Sequence, residues 1–413
     1  MNKKLKQLLS LILSMAMVLG TLTACSKNSE ENKSNNESNV KTEVSSTNDT
    51  STNDTSTDET KTSETDGIYA GIEPLESSIK LNFGYLTGSH HGMIIYMIDK
   101  LGGFEQVGIT ANIEAFGNGP VMVEAMASDS WDCGTIGLGG VLTGVISQEM
   151  LIIGAAARDF DSLRIFAKND SNIVTAGKTL ADYPNVYGTA DVWKGKEVLV
   201  PTGSTLHYVL STGLSKFGLS DTDVAMTHMD VTSVNTALRA NKGEVGAVWG
   251  SFTYAEALNQ DYTVVMSAND LGIELPTVMC ANPRSYSDPA KYEAIKKWME
   301  LYFATVDWIY ANDENFTKAV EMFTEINEEA GATGTLEENN IVLTNNPHYT
   351  LAENVQFFNE KTEDGAMLQI EAMHHDPLVF YINNGSYKEG DDAKLLGGYF
   401  KADIINELAQ AAK

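Results

Sequence analysis

Cysteine is scarce in this chain of 413 residues, which has only Cys25, Cys133 and Cys280. Three thiols cannot supply the dense cross-links of small exported domains, so the folded part must rest on an apolar core. Cys133 and Cys280 each lie inside a short apolar run, 131–136 and 277–281, and read as buried free thiols. Basic residues are as sparse: 28 Lys and Arg stand against 56 Asp and Glu, for a net charge of −28, which excludes nucleic acid as a partner. Arginine occurs only at 158, 164, 239 and 284. Phosphate loops of the Gly-Lys-Ser/Thr kind and Gly-x-Ser-x-Gly elbows are both missing, which excludes a P-loop nucleotide site and a nucleophile elbow.

The one long apolar run, 8–22, follows Lys3, Lys4 and Lys6 and leads into Leu22-Thr23-Ala24-Cys25. It is shorter than the roughly 20 residues that cross a bilayer core. The pattern is a signal peptide over 1–24 with Cys25 as the lipidated first residue of the mature chain. Residues 25–70 are predicted to be a disordered tether, since 26–66 are almost devoid of apolar side chains and repeat Ser-Thr-Asn-Asp-Thr at 46–50 and 51–55. About 345 residues remain, enough for one large or two mid-sized domains.

From residue 79 onward, short apolar runs alternate with helix-length amphipathic segments, the signature of an α/β fold. Strands are predicted at 79–85, 110–116, 131–136 and 151–156, and again at 197–201, 224–229 and 245–249, with helices between them. Two strand-like crossings, at 163–168 and 277–282, would join two lobes: 78–165 with 280–413, and 166–279. Two lobes on two extended connections can close on a solute. Ligands of open α/β sheets bind beyond the carboxyl ends of strands, which selects the loops 87–91, 117–119, 137–140 and 202–205.

The residues Phe83-Gly84-Tyr85-Leu86, Gly88-Ser89-His90-His91-Gly92, Gly117-Asn118-Gly119-Pro120 and Trp131-Asp132-Cys133-Gly134 resemble solute-binding proteins of the nitrate, sulfonate and taurine ABC importers. In the second half, Pro201-Thr202-Gly203-Ser204-Thr205 and Gly243-Glu244-Val245-Gly246-Ala247-Val248-Trp249 are similar to the same family in order and spacing. The resemblance covers about 79–310, and 331–398 departs from it. It implies a type II periplasmic-binding-protein fold with two hinge crossings, capture of a small anion of the sulfonate, nitrate or taurine class, a pyrimidine or other heteroaromatic nutrient as the alternative, and delivery to an ABC permease and its ATPase by a lipid-anchored monomer at the outer face of the cell membrane.

Several residues are candidates for that capture. Ser89 could cap a helix beginning nearby and leave backbone N–H groups facing the cleft, with His90 and His91 either beside the ligand or in the core. The same argument applies to Thr202, Ser204 and Thr205. Asn118 and Gly119 form a turn before Pro120, and Leu138 lies in the 137–140 loop. Trp249 ends a strand and could stack on a ligand or fill the core. Arg158 is the best candidate for clamping an anion, with an ion pair to Asp159 or Asp161 as the other explanation. Without a cleft cation, helix starts alone would face the anion and a neutral ligand gains ground. Adjacent histidines (His90-His91, His374-His375) point in different directions and lack a spaced ligand set, so no metal and no cofactor are expected. Two rivals stand beside solute capture: a hydrolase using Ser89 or Ser204, for which no acid can be placed behind a histidine, and a surface adhesin.

Overall fold

The computed structural model describes residues 67–254, 260–332, 334–383 and 385–412. The leader, Cys25 and all but the last residues of the expected tether lie outside the described residues. Residues 67–70, expected to be tether, form a turn instead, and Tyr69 is buried with its hydroxyl 2.9 Å from Thr305 Oγ1. One aromatic ring after a long polar stretch is enough to dock the chain where the core begins.

Two five-stranded sheets form, each with the same pattern. In the first, β1 (Ile79–Leu86) pairs in parallel with β2 (Ile109–Phe116) and β3 (Cys133–Ile136), and β10 (Leu275–Ala281) runs antiparallel between β3 and β4 (Leu151–Asp159). In the second, β6 (Glu197–Val200) is parallel to β7 (Ala225–His228) and β8 (Val245–Val248), and β5 (Arg164–Lys168) runs antiparallel between β8 and β9 (Tyr262–Ser267). Each sheet carries its own apolar core. The chain therefore builds one lobe, leaves it for a second, and returns.

The crossings differ from their expected positions. Residues 163–168 and 277–282 were expected to bridge the lobes, yet β5 and β10 are interior strands of the two sheets, with Ile165, Phe166, Val278 and Cys280 fully buried. Apolar runs of that kind gain more from burial in a sheet than from spanning a gap. The actual bridges are the short segments just before them, 160–163 and 268–274. Strand β9 was not among the predicted strands, because it sits behind a polar stretch that weakens its pattern. Cys133 and Cys280 are buried and unbridged.

Four helices carry the cleft loops: α1 (Met93–Lys100), α2 (Gly119–Ala127), α3 (Leu138–Gln148) and α4 (Thr205–Lys216). The segment that departs from the family pattern folds into α5 (Leu336–Asn345), α6 (Leu351–Asn359) and α7 (Gln369–Asn383). It touches both lobes. Phe380 and Tyr381 of α7 pack their rings against Tyr208 of α4. Asn346, fully buried after α5, accepts the N–H groups of Phe160, Asp161 and Ser162 on one side-chain oxygen at 3.1, 3.1 and 3.3 Å. One crossing is thus pinned by a side chain from far along the sequence.

Asn346→Ala would leave those three donors without an acceptor. At about 1 kcal/mol or more for each buried donor left unpaired, the loss should be on the order of 3 kcal/mol. Urea denaturation measures it; a change below about 0.5 kcal/mol, the usual range of an inert surface substitution, would show that the pin carries no weight.

Candidate functional site

The carboxyl ends of β1, β3 and β4 face those of the second sheet across a tight enclosure of about 20 Å3, room for a water-sized guest in this closed state. Ser89, His90, His91, Gly119, Ser204, Thr205 and Trp249, all expected at the site, line it together. Asp159, Ser162, Leu86, Gly250 and the glycines at 137, 139 and 140 complete the wall.

The lobes touch around this space. Trp249 Nε1 of the second lobe donates to the Thr87 carbonyl of the first at 3.1 Å, and the Ser251 N–H approaches the Gly88 carbonyl at 3.4 Å. Glycine permits the closest approaches. A Cβ on Gly139 would lie 2.0 Å from the Gly203 oxygen, and one on Gly250 would lie 2.1 Å from the Gly88 oxygen. The molecule is therefore closed, and its closure depends on bare backbone at these points.

Local sequence explains how each wall is held. Ser204 sits at the N-cap of α4 in extended backbone, yet its hydroxyl makes no capping bond and is buried without a partner. The loop before it is fixed by two histidines: His228 Nδ1 accepts from the Thr202 N–H and hydroxyl, and His207 Nδ1 accepts from the Gly203 N–H at 3.0 Å. The start of α3 offers Gly137 at its cap, with no side chain to occupy the first N–H groups.

His90 and His91 are buried. His90 Nε2 donates to the Arg158 carbonyl at 2.9 Å, and the His90 carbonyl receives Nε2–H of His348 at 3.2 Å. His348 Nδ1 in turn accepts from the Tyr310 hydroxyl at 3.0 Å. Burial pushes His90 down to about 4 and His348 to about 3, and His91 falls well below the ordinary histidine range, so all three rings are neutral at pH 7. His91 Nδ1 is buried with no partner. Asp159, at the carboxyl end of β4, is also buried, and burial lifts its carboxyl to about 6 against the lowering effect of the Ser162 hydroxyl, which donates to Oδ1 at 2.7 Å.

Four expected site residues stand apart from the enclosure. Asn118 caps α2, its Oδ1 accepting from the Val121 N–H at 3.0 Å, and borders an outer groove with Asp230. Leu138 is packed in the first core. Thr202 is held outside by His228. Arg158 turns away, pairing with Glu353 at 2.9 Å and Glu274 at 3.3 Å and lying over the Tyr349 ring, rather than pairing with Asp159 or Asp161. Successive strand residues point to opposite faces, so with Asp159 turned inward its neighbour must face out. Ser89 also differs from its expected capping role: α1 begins only at Met93, capped at Gly92, and the Ser89 hydroxyl donates to the Leu86 carbonyl at 2.6 Å.

An acid does stand behind one histidine, contrary to the sequence reading: Asp221 Oδ2 lies 3.1 Å from His207 Nε2. The other nitrogen of that ring already takes the Gly203 N–H, so no face remains to activate a hydroxyl. Sequence reasoning missed Asp159 as a wall residue, although its place at a strand's carboxyl end was the available signal. It had no signal for His348, which reaches His90 across 258 positions.

The alkanesulfonate-binding protein of Xanthomonas axonopodis pv. citri, solved with MOPS, superposes with a TM-score of 0.57 at 14% identity, over 81% of this chain and 99% of its own. This is the periplasmic-binding-protein fold. The nitrate-binding protein of Synechocystis PCC 6803 shares it at a TM-score of 0.58 and 13% identity, over 81% of this chain and 89% of its own. A Candida albicans protein described as having the generic periplasmic-binding-protein fold matches at 0.58 and 12%, over 78% and 96%. By sequence, a Brachyspira hyodysenteriae protein with a provisional ABC-transporter periplasmic-binding-protein name is 24% identical over 74% of this chain and 85% of its own. No family profile matches the chain.

Proposed function

We propose that this chain is the solute-capturing component of an ABC importer, held at the outer face of the cell membrane by lipid on Cys25, and that it does no chemistry on its ligand. The observation that carries this reading is a closed interlobe cleft whose wall includes buried, partnerless polar atoms, Ser204 Oγ and His91 Nδ1. Buried polar atoms without partners are rare in folded proteins and point to a molecule that would complete them. The starts of α3 and α4 supply free N–H groups beside Ser204, which suits a sulfonate, carboxylate or similar head group. The similarity to sulfonate- and nitrate-binding proteins favours the same class.

A second reading has an observation of its own. Among the described residues, no lysine or arginine lines the cleft. A bare anion would then be met only by helix starts, whereas a heteroaromatic nutrient could lie against Trp249. Both readings share one test. Protein unfolded and refolded to strip carried solute should be stabilised by one small solute from a panel of sulfonates, amino acids, inorganic anions and pyrimidines, by about 3 kcal/mol at a hundredfold excess over Kd. A flat melting temperature across the whole panel would count against solute capture.

A further inference from the structure

We infer that Asp159 makes this cleft selective for a solute bearing an ammonium or other cationic N–H group, so that the ligand is dipolar and bare anions bind poorly. The inference rests on the solute-capture reading and narrows it. Among the described residues, Asp159 is the only acidic side chain in the wall and no lysine or arginine lines it. The arginine next to it is occupied elsewhere, by Glu274 and Glu353. Its one neutral partner is the Ser162 hydroxyl. A buried carboxylate left in that state is costly, and a ligand cation is what would offset the cost.

The histidines supply no substitute charge. His90 spends its Nε2–H on the Arg158 carbonyl, so its other nitrogen is an acceptor, and burial keeps the ring neutral. The rest of the wall has the reverse character, with donors from the partnerless Ser204 hydroxyl and the start of α4 on the second lobe and from the start of α3 on the first. A site with an acceptor on one side and donors on the other complements a molecule with an ammonium at one end and an acidic group at the other. Nitrate, sulfate and simple alkanesulfonates offer only the second.

The test begins with the solute that the native protein releases on denaturation, identified by mass spectrometry, and with matched probes titrated into refolded protein. Taurine and isethionate differ only in an ammonium against a hydroxyl, as do β-alanine and 3-hydroxypropionate. The expected result is a released solute with a basic nitrogen, and an aminated probe at least about thirtyfold tighter than its hydroxyl twin, the size of a buried charge pair. In Asp159→Asn that ratio should fall to about threefold or less while the ligand-free melting temperature holds or rises, since only the charged partner of the pair has been removed. Equal affinity for a hydroxyl twin, tight binding of nitrate or sulfate, or a ratio unchanged in Asp159→Asn would overturn the inference. A released solute lacking basic nitrogen would sink it alone and leave solute capture standing. No released solute and no binding by any probe would sink both.

Discussion

Replacing Gly139 with alanine is expected to abolish closure and weaken solute binding by about a hundredfold or more, because only the closed fraction binds. The added methyl would lie 2.0 Å from the Gly203 oxygen and 2.6 Å from the Ser204 Cα, both backbone atoms of the opposite lobe. No rotamer change relieves a clash with backbone. The three nearest atoms all belong to that lobe, so opening relieves these clashes, and Gly139 lies in the first turn of α3 with ordinary helical backbone, where alanine is favoured over glycine by roughly 0.5–1 kcal/mol. The variant should therefore fold as well as the parent or better, yet fail to bind. Titration with the released solute, read beside the ligand-free melting temperature, separates the two effects. Parent-like affinity in Gly139→Ala would mean that ligand binding does not require the lobes to meet here.

Acid should destabilise the protein in a pH window where most proteins are still near their optimum. His90, His348 and His374 are buried, with burial lowering them to about 4, 3 and 4. They take up no proton in the fold above those values, whereas in the unfolded chain each binds one below about 6.5. Stability is thus fully present above 6.5 and is lost as the pH falls toward 4. Between pH 7 and 5 each histidine should cost roughly 2 kcal/mol. His91, lowered in the same direction, adds to the loss.

Asp159 opposes the trend. Its carboxyl is raised to about 6, so its ionisation in the fold is a cost that grows as pH rises and is relieved, by roughly 1 kcal/mol, between pH 7 and 5. The groups around it do not reverse the sign: His90 stays neutral down to about 4, burial lowers His91 well below the ordinary histidine range, and the Arg158 side chain is turned away. The net expectation is a loss of about 5 kcal/mol from pH 7 to 5, a large share of the 5–15 kcal/mol typical of folded proteins. Urea midpoints at the two pH values measure it. Equal stability at both would mean that these histidines take up protons in the folded state.

The same residues show what the sequence could disclose. The alternation of apolar strands with helical segments marked the sheets well, because a strand buried on one or both faces must be written in apolar residues. Glycine-bearing turns at the carboxyl ends of strands marked the cleft, since the topology places those ends together. What could not be read is direction. Arg158 and Asp159 are adjacent, one facing outward and one inward, and one residue of register decides which meets the ligand. Nor could the line of residues show that Asn346 would grip the crossing at 160–162, or that His348 would support His90, because those contacts arise from a segment folded back over both lobes. The expected site was legible as loops and illegible as side chains.

Closure around a guest is the claim on which the rest depends, and small-angle X-ray scattering measures it directly. Refolded, ligand-free protein should contract when the solute released from the native protein is added, while Gly139→Ala should keep its ligand-free scattering curve under the same conditions. Identical curves for the parent with and without solute, or a variant that contracts as the parent does, would contradict the account.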